Sequence, residues 1–230
     1  LGIKVIPVTS GMYPRNLSII PDGPLALFLL GDVDAMSKDR QVAVVGTRKP
    51  SSKGAVFCQR ITRTLVEGDV TIISGLAHGC DSIAHETCLD SGGITVAVMP
   101  CGLDVITPTS NRNLAKRIAN SGGALISEYP LGTKPRKGTY VQRNRIQSGL
   151  SDAVIIVEAA IKSGTMETAG HCRKQGRPLY SVSPDTLGND ADPGGNKKLI
   201  ESGAKVLENK DDVLDLVQGL DNQGPTSSLL

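Results

Sequence analysis

The chain has no tryptophan, and aromatic residues make up only 3% of its 230 positions. A core without large rings has to be filled by Ile, Val, Leu and Ala, which suits a buried parallel sheet. No apolar run reaches 18 residues and no signal peptide opens the sequence, so neither a membrane span nor a secretory leader is expected. Charge of either sign is not in excess: 25 Lys and Arg face 23 Asp and Glu, a net +2. The molecule is therefore no basic glove, and a nucleic-acid role would need a local patch. Five cysteines, an odd number set among apolar neighbours, read as a reduced, cytoplasmic chain rather than a disulfide framework. At this length one large α/β domain with a full core is expected.

The organising stretch is Val42–Asp81. Two apolar runs, Val42–Val45 and Val70–Ile73, each end in a small-residue loop, GTRKPSSKG and SGLAHGCD, and each loop opens a helix. A strand–loop–helix unit used twice begins a doubly wound sheet with helices on both faces. Both loops should emerge at the carboxyl edge of that sheet. An anion there would meet backbone N–H groups, the positive ends of two helices, and Arg48 and Lys49. Gly46 and Gly54 permit close approach, and Ser51 or Ser52 caps the first helix. The loop is neither a Gly-Lys-Ser/Thr phosphate loop nor GxGxxG, which speaks against a dinucleotide oxidoreductase. Cys80, His85 and Cys88 do not share one helix face, so no metal site is expected. Cys101 has no paired base and reads as a packed side chain.

Before this stretch, residues 1–40 are rich in proline and read as an irregular docking segment of the same domain, with an edge strand over Leu25–Leu30. After it, strands are expected at Ile94–Met99, Ala124–Ser127, Ala153–Val157, Pro178–Val182 and Ala204–Leu207. The domain should run over 41–220, with a frayed tail at 221–230.

Two later stretches belong with the crest loops. Lys134–Gly149, KPRKGTYVQRNRIQSG, carries Lys134, Arg136, Lys137, Arg143 and Arg145 and no acid. Its cations lead into the first turns of a helix, where they oppose the macrodipole, so a bound anion is a natural explanation. Lys162-Ser163-Gly164-Thr165 opens another helix with residue types that cap helices and cradle phosphates.

Taken together these motifs resemble the DNA-processing protein A family, also called Smf. The resemblance is carried by Gly46-Thr47-Arg48, Ser74-Gly75-Leu76-Ala77 with Gly79 and Asp81, Cys101-Gly102-Leu103-Asp104, Ser127-Glu128-Tyr129-Pro130, Arg143-Asn144-Arg145, Val157-Glu158-Ala159, Ser163-Gly164-Thr165 and Leu199-Ile200 with Gly203-Ala204. It spans about Tyr13 to Leu207. It implies an extended Rossmann-like domain, mostly parallel, that binds single-stranded DNA, dimerises and carries out no catalysis. The family protects incoming strands in natural transformation and helps load the RecA recombinase. It implies DNA contacts at Gly46, Thr47, Arg48, Lys49, Ser51, Gly75, Lys134, Lys137, Tyr140, Arg143, Asn144, Arg145, Lys162, Ser163, Gly164 and Thr165, without cofactor or metal. Cations and N–H donors with an occasional stacking ring suit a strand-binding groove. Val141 and Gln142 stand where the family usually has an aromatic and a proline, so Tyr140 is the candidate stacking ring.

A rival reading is a nucleotide sensor or an enzyme resembling the "lonely guy" phosphoribohydrolases, whose motif Lys162–Glu167 partly echoes. There Glu167 would stabilise an oxocarbenium-like centre. The double glycine of that motif is missing, and Glu167 also reads as a first-turn acid favoured by the helix dipole.

Overall fold

The first forty residues are not an irregular appendage. In the computed structural model, which describes residues 2–221, β1 (Lys4–Pro7) and β2 (Ala26–Gly31) are strands of the main sheet, joined through a short helix α1 (Arg15–Ser18). β1 forms the edge. β2 lies inside it, antiparallel both to β1 and to a later strand, so Leu25–Leu30 does not mark the edge. The prolines fall at strand ends and in the connection, where no ladder N–H is lost.

The parallel core follows. It runs through β3 (Gln41–Val45), α2 (Ser52–Glu67), β4 (Thr71–Ser74), α3 (Cys80–Asp90), β5 (Thr95–Val98), α4 (Arg112–Asn120), β6 (Ala124–Ser127) and α5 (Lys137–Leu150). It continues through β7 (Ala153–Ile156), α6 (Gly164–Lys174), β8 (Leu179–Val182), α7 (Gly194–Glu201), β9 (Lys205–Leu207) and α8 (Lys210–Asp221). The nine strands are ordered β1-β2-β6-β5-β4-β3-β7-β8-β9. From β6 to β9 every pairing is parallel. α8 includes Asp221, which pairs with Arg40 at 2.5 Å; the rest of the expected frayed tail lies outside the described residues.

Continuous apolar strands demand cover on both sides. In β3, Ala43 and Val45 pack toward α1, α5, α6 and α7, while Val42 and Val44 pack toward α2, α3 and α8. α4 closes the second face over Ala97 and Leu125. The scarce rings matter little, because β-branched and small side chains fill both layers.

One topological feature places the site. After β3 the chain builds outward through β4, β5 and β6, then returns to lay β7 on the other side of β3. The order reverses between β3 and β7. Ligands of doubly wound sheets bind in the crevice outside the carboxyl ends of strands at such a point.

Candidate nucleic-acid interface

The loops after β3, β4 and β7 converge at that crevice, but they do not offer equal seats to an anion. The end of α2 is already occupied. Ser51 caps it by accepting from the Gly54 N–H at 3.0 Å. Glu158, 3% exposed, accepts from both the N–H and the hydroxyl of Ser51 at 2.9 and 2.8 Å. Asp190 accepts from the Ser52 N–H at 3.1 Å. Two carboxylates of the protein thus take the donors and the dipole that would favour a foreign anion. The expectation of two open helix ends is corrected here: Ser51 is buried and points inward.

The loop after β4 is likewise filled from within. Leu76 is fully buried with φ of +58°, a conformation rare for leucine. Asn111 donates to its carbonyl at 2.9 Å. The loop's N–H groups turn toward Asp81, which accepts from Ala77 at 3.4 Å. Burial raises the Asp81 carboxyl above its usual range, against the pull of nearby Arg143 and these donors. Gly75 has no room for a Cβ because the Arg143 guanidinium lies against it.

Arg143 and Asn144, expected to face DNA, are instead almost wholly enclosed, at 5% and 7% exposure. Arg143 Nη1 donates to the carbonyls of Gly75, at 2.9 Å, and Val98, tying the ends of β4 and β5 together. Its Nε donates to Asn144 Oδ1 at 3.2 Å, and Asn144 Nδ2 donates to the Gly164 carbonyl at 3.1 Å. Burial lowers the Arg143 pKa, and buried Asp81 offsets this by favouring its charge. Arg145 points to the other side of α5, onto Glu128 at 2.6 Å and Asp22 at 3.7 Å. The basic window therefore splits. Lys134, Arg136 and Lys137 remain exposed, Arg143 holds the floor, and Arg145 locks the N-terminal segment to α5.

Between these walls lies a cavity of about 340 Å³. Gly46, Thr47 and Arg48 line one side, Ser163, Gly164, Thr165 and Thr168 another, and Tyr140, Arg143, Asn144 and Gln147 a third, with Ala77 and Asp81 below. The Arg48 guanidinium sits 5.5 Å from the centre of the Tyr140 ring, a cation–π distance, and Tyr140 shares a 3.0 Å hydrogen bond with Thr107. The end of α6 differs from that of α2. Ser163 is its N-cap but makes no side-chain cap bond, and among the described residues its buried hydroxyl has no partner. Among the described residues no side chain accepts from the N–H groups of Gly164 or Thr165. Of the three crest loops, this one presents N–H donors that no described side chain takes, beside a cation, although exposed Glu167 stands in the first turn of the helix.

Lys49 and Lys162 are exposed beside the mouth and do not line the cavity, nor do Lys134 and Lys137. Ala77, Gln147 and Thr168 were not anticipated. Tyr140, Asn144 and Gln147 sit at i, i+4 and i+7 on α5, a single helix face, and that spacing was the signal available. Among the described residues no cluster of three or more His, Cys, Asp or Glu is placed to hold a metal, and no helix is long and apolar enough to cross a membrane. Burial pushes the Cys101 thiol to about 11, so it is no thiolate nucleophile near neutrality.

The model of the DNA recombination-mediator protein A family matches residues 4–218. The chain belongs to that family. Protein Smf of Synechocystis is 41% identical over 207 residues, covering 88% of this chain and 51% of that protein. DNA processing protein DprA of Bacillus subtilis is 39% identical over 214 residues, covering 93% and 71%. The chain thus spans about half of one relative and rather more of the other. A solved structure of DNA processing protein A from Helicobacter pylori, described for its single-stranded DNA binding mode, superposes with a TM-score of 0.84 at 31% identity. That alignment covers 94% of this chain and 96% of that one. The fold is accordingly the family's Rossmann-like one.

Proposed function

We propose that this family member is a single-stranded DNA-binding recombination mediator, without catalysis, that shields incoming strands in natural transformation and assists a RecA-type recombinase. It would act in the cytoplasm as a homodimer. The observation that carries the reading is the free α6 N-terminus facing Arg48 and Tyr140 across a cavity at the sheet's switch point. A phosphate at Ser163–Thr165 gains N–H donors and a positive dipole, Arg48 adds a charge, and Tyr140 offers a ring to a base. Arg143 and Asn144 position these groups. Lys49, Lys134, Lys137 and Lys162 lie outside the cavity and would follow the strand beyond it. The described relative that binds single-stranded DNA supports the ligand class.

The test is a gel shift with single- and double-stranded oligonucleotides across a salt series, paired with a sizing column. Preference for single strands and a linear fall of log affinity with log salt are expected. Absence of single-strand binding would defeat the reading.

The phosphoribohydrolase alternative asks Glu167 to reach a ribose. Glu167 stands exposed on the first turn of α6 and is not among the residues lining the cavity. Release of free base from nucleoside monophosphates, abolished in Glu167→Ala, would revive it.

A further inference from the structure

Between β6 and α5 the chain carries an apolar shelf that the cavity does not use. Leu131 is 47% exposed and Val141 38%, and Tyr129 beside them is half-buried. None of the three lines the cavity. Apolar side chains scattered singly over a surface need no explanation, but a cluster held in a fixed frame does. The turn Pro130–Thr133 is closed by the Thr133 N–H, which donates to the Pro130 carbonyl at 3.2 Å, with Gly132 at φ of +82°. The Gly132 N–H donates to both carboxylate oxygens of Asp104 at 3.0 Å, and the Gly102 N–H donates to the Thr133 carbonyl at 3.0 Å. The turn lies so close that a Cβ on Gly102 would strike the Pro130 carbonyl. The Tyr129 hydroxyl donates to Gln142 Oε1 at 2.9 Å, which lays the loop against the exposed face of α5.

Continuity and charge say what covers this shelf. Val141 follows Tyr140 on α5, about 100° further round the helix, so the shelf begins where the cavity mouth ends. Exposed Lys134, Arg136 and Lys137 join the loop to α5 and border the shelf, and they form no ion pair among the described residues. The two acids nearby are engaged, Glu128 by Arg145 and Asp104 by Gly132. On the other side of the cavity the loop after β8, bonded to Ser52 through Asp190, sets Asp185, Asp190 and Asp192 against Lys49 and Lys53. An apolar surface bordered by unpaired cations fits a ligand that carries flat apolar groups on an anionic backbone.

We propose that Tyr129, Leu131 and Val141 form a second nucleobase subsite, which seats the nucleotides leaving the cavity past Tyr140 while Lys134, Arg136 and Lys137 follow their phosphates. The inference rests on the reading that the cavity takes single-stranded DNA. Contact with base faces tolerates any sequence, because every base has such a face. The subsite therefore adds affinity and length dependence without selecting a sequence, and it gives the strand its longer footing on the β6 side. A duplex, whose bases stack on one another, offers the shelf no free face.

The test uses the shortest thymine oligonucleotide that binds at full affinity, which fixes its register, intact or with a short abasic block moved along it. Abasic sites keep the phosphates and remove the base faces. By fluorescence anisotropy at fixed salt, wild-type protein should show two sensitive regions, one for the cavity and one for the shelf, the second weakening binding roughly fivefold or more. A double variant, Leu131→Ser with Val141→Ser, alters exposed positions only and should keep the melting temperature. It should bind the intact strand about fivefold more weakly, lose its response to the second block and retain the wild-type log–log salt slope. A single sensitive region in wild-type protein, or a second region still felt by the double variant, would overturn the inference while leaving strand binding intact. So would a lowered salt slope, which would make the effect electrostatic, or wild-type affinity in the double variant, which would leave the shelf to a protein partner. Failure of wild-type protein to bind any single strand would instead defeat the functional reading beneath it.

Discussion

Glu158 closes the helix end that the first loop would otherwise offer to a ligand: its Oε2 accepts from the Ser51 N–H at 2.9 Å and from the Ser51 hydroxyl at 2.8 Å. The carboxylate comes from the end of β7 and caps the helix after β3. It therefore stitches the switch point together while leaving α6 as the open helix end.

Ser51 should accordingly matter to stability and not to phosphate contact. Ser51→Ala is expected to cost about 1 kcal/mol or somewhat more in urea unfolding, the usual loss for a cap with a charged partner left behind. The salt dependence of oligonucleotide binding should stay unchanged. A drop in that slope would return Ser51 to the ligand surface.

Arg143 holds two strand ends and faces buried Asp81. Arg143→Met should destabilise the fold by about 3 kcal/mol, because a buried carboxylate loses its opposite charge and two carbonyls lose a donor. Arg143→Lys should not restore the loss, since a single ammonium does not reproduce the planar fork that reaches Gly75, Val98 and Asn144. Equilibrium unfolding of both variants checks this; near-wild-type stability with weakened DNA binding would make Arg143 a phosphate contact after all.

His85 gives the protein a defined acid limit. It is fully buried, bonded through Nδ1 to the Thr95 hydroxyl at 2.7 Å, and burial, aided by the charge of Arg143, lowers its pKa to about 3. Below about pH 6.5 the unfolded chain takes up a proton that the folded chain refuses. Stability should thus fall by about 1.4 kcal/mol per pH unit from about 6.5 toward 3, with buried Asp81, whose pKa is raised, partly opposing the fall below its own range. His85→Gln should remove the histidine part of this slope. Urea midpoints at pH 7, 5.5 and 4.5 measure it, and identical pH dependence in the two proteins would refute it.

The sequence exposed the parallel core because β3, β4, β5 and β7 are short apolar runs ending in small-residue loops, and periodicity alone finds such strands. It did not expose β1, which ends at a proline, and it took β2, expected over Leu25–Leu30, for an edge strand, because the second partner of β2, Ala124 to Ser127, lies about a hundred residues away. Family resemblance located the crevice but not the division of labour within it. Charge in a linear window cannot separate Arg143, Arg145 and Lys137, which leave α5 in different directions. Nor does it reveal that Glu158 and Asp81 neutralise two of three anion seats from inside. Gln147 lay unremarked in the same window because an amide carries no charge.

The central claim is that the ligand's phosphate sits at the free N-terminus of α6. Ser163→Asp tests it most directly, because it separates stability from binding. A carboxylate at that cap favours the helix by its dipole and its capping geometry, so the melting temperature should hold or rise slightly. The same carboxylate occupies and repels the phosphate seat, so affinity for a single-stranded oligonucleotide at low salt should fall at least about tenfold, with the log–log salt slope reduced by about one. A stable Ser163→Asp protein that binds single strands as tightly as wild type, with the same salt slope, would contradict the account.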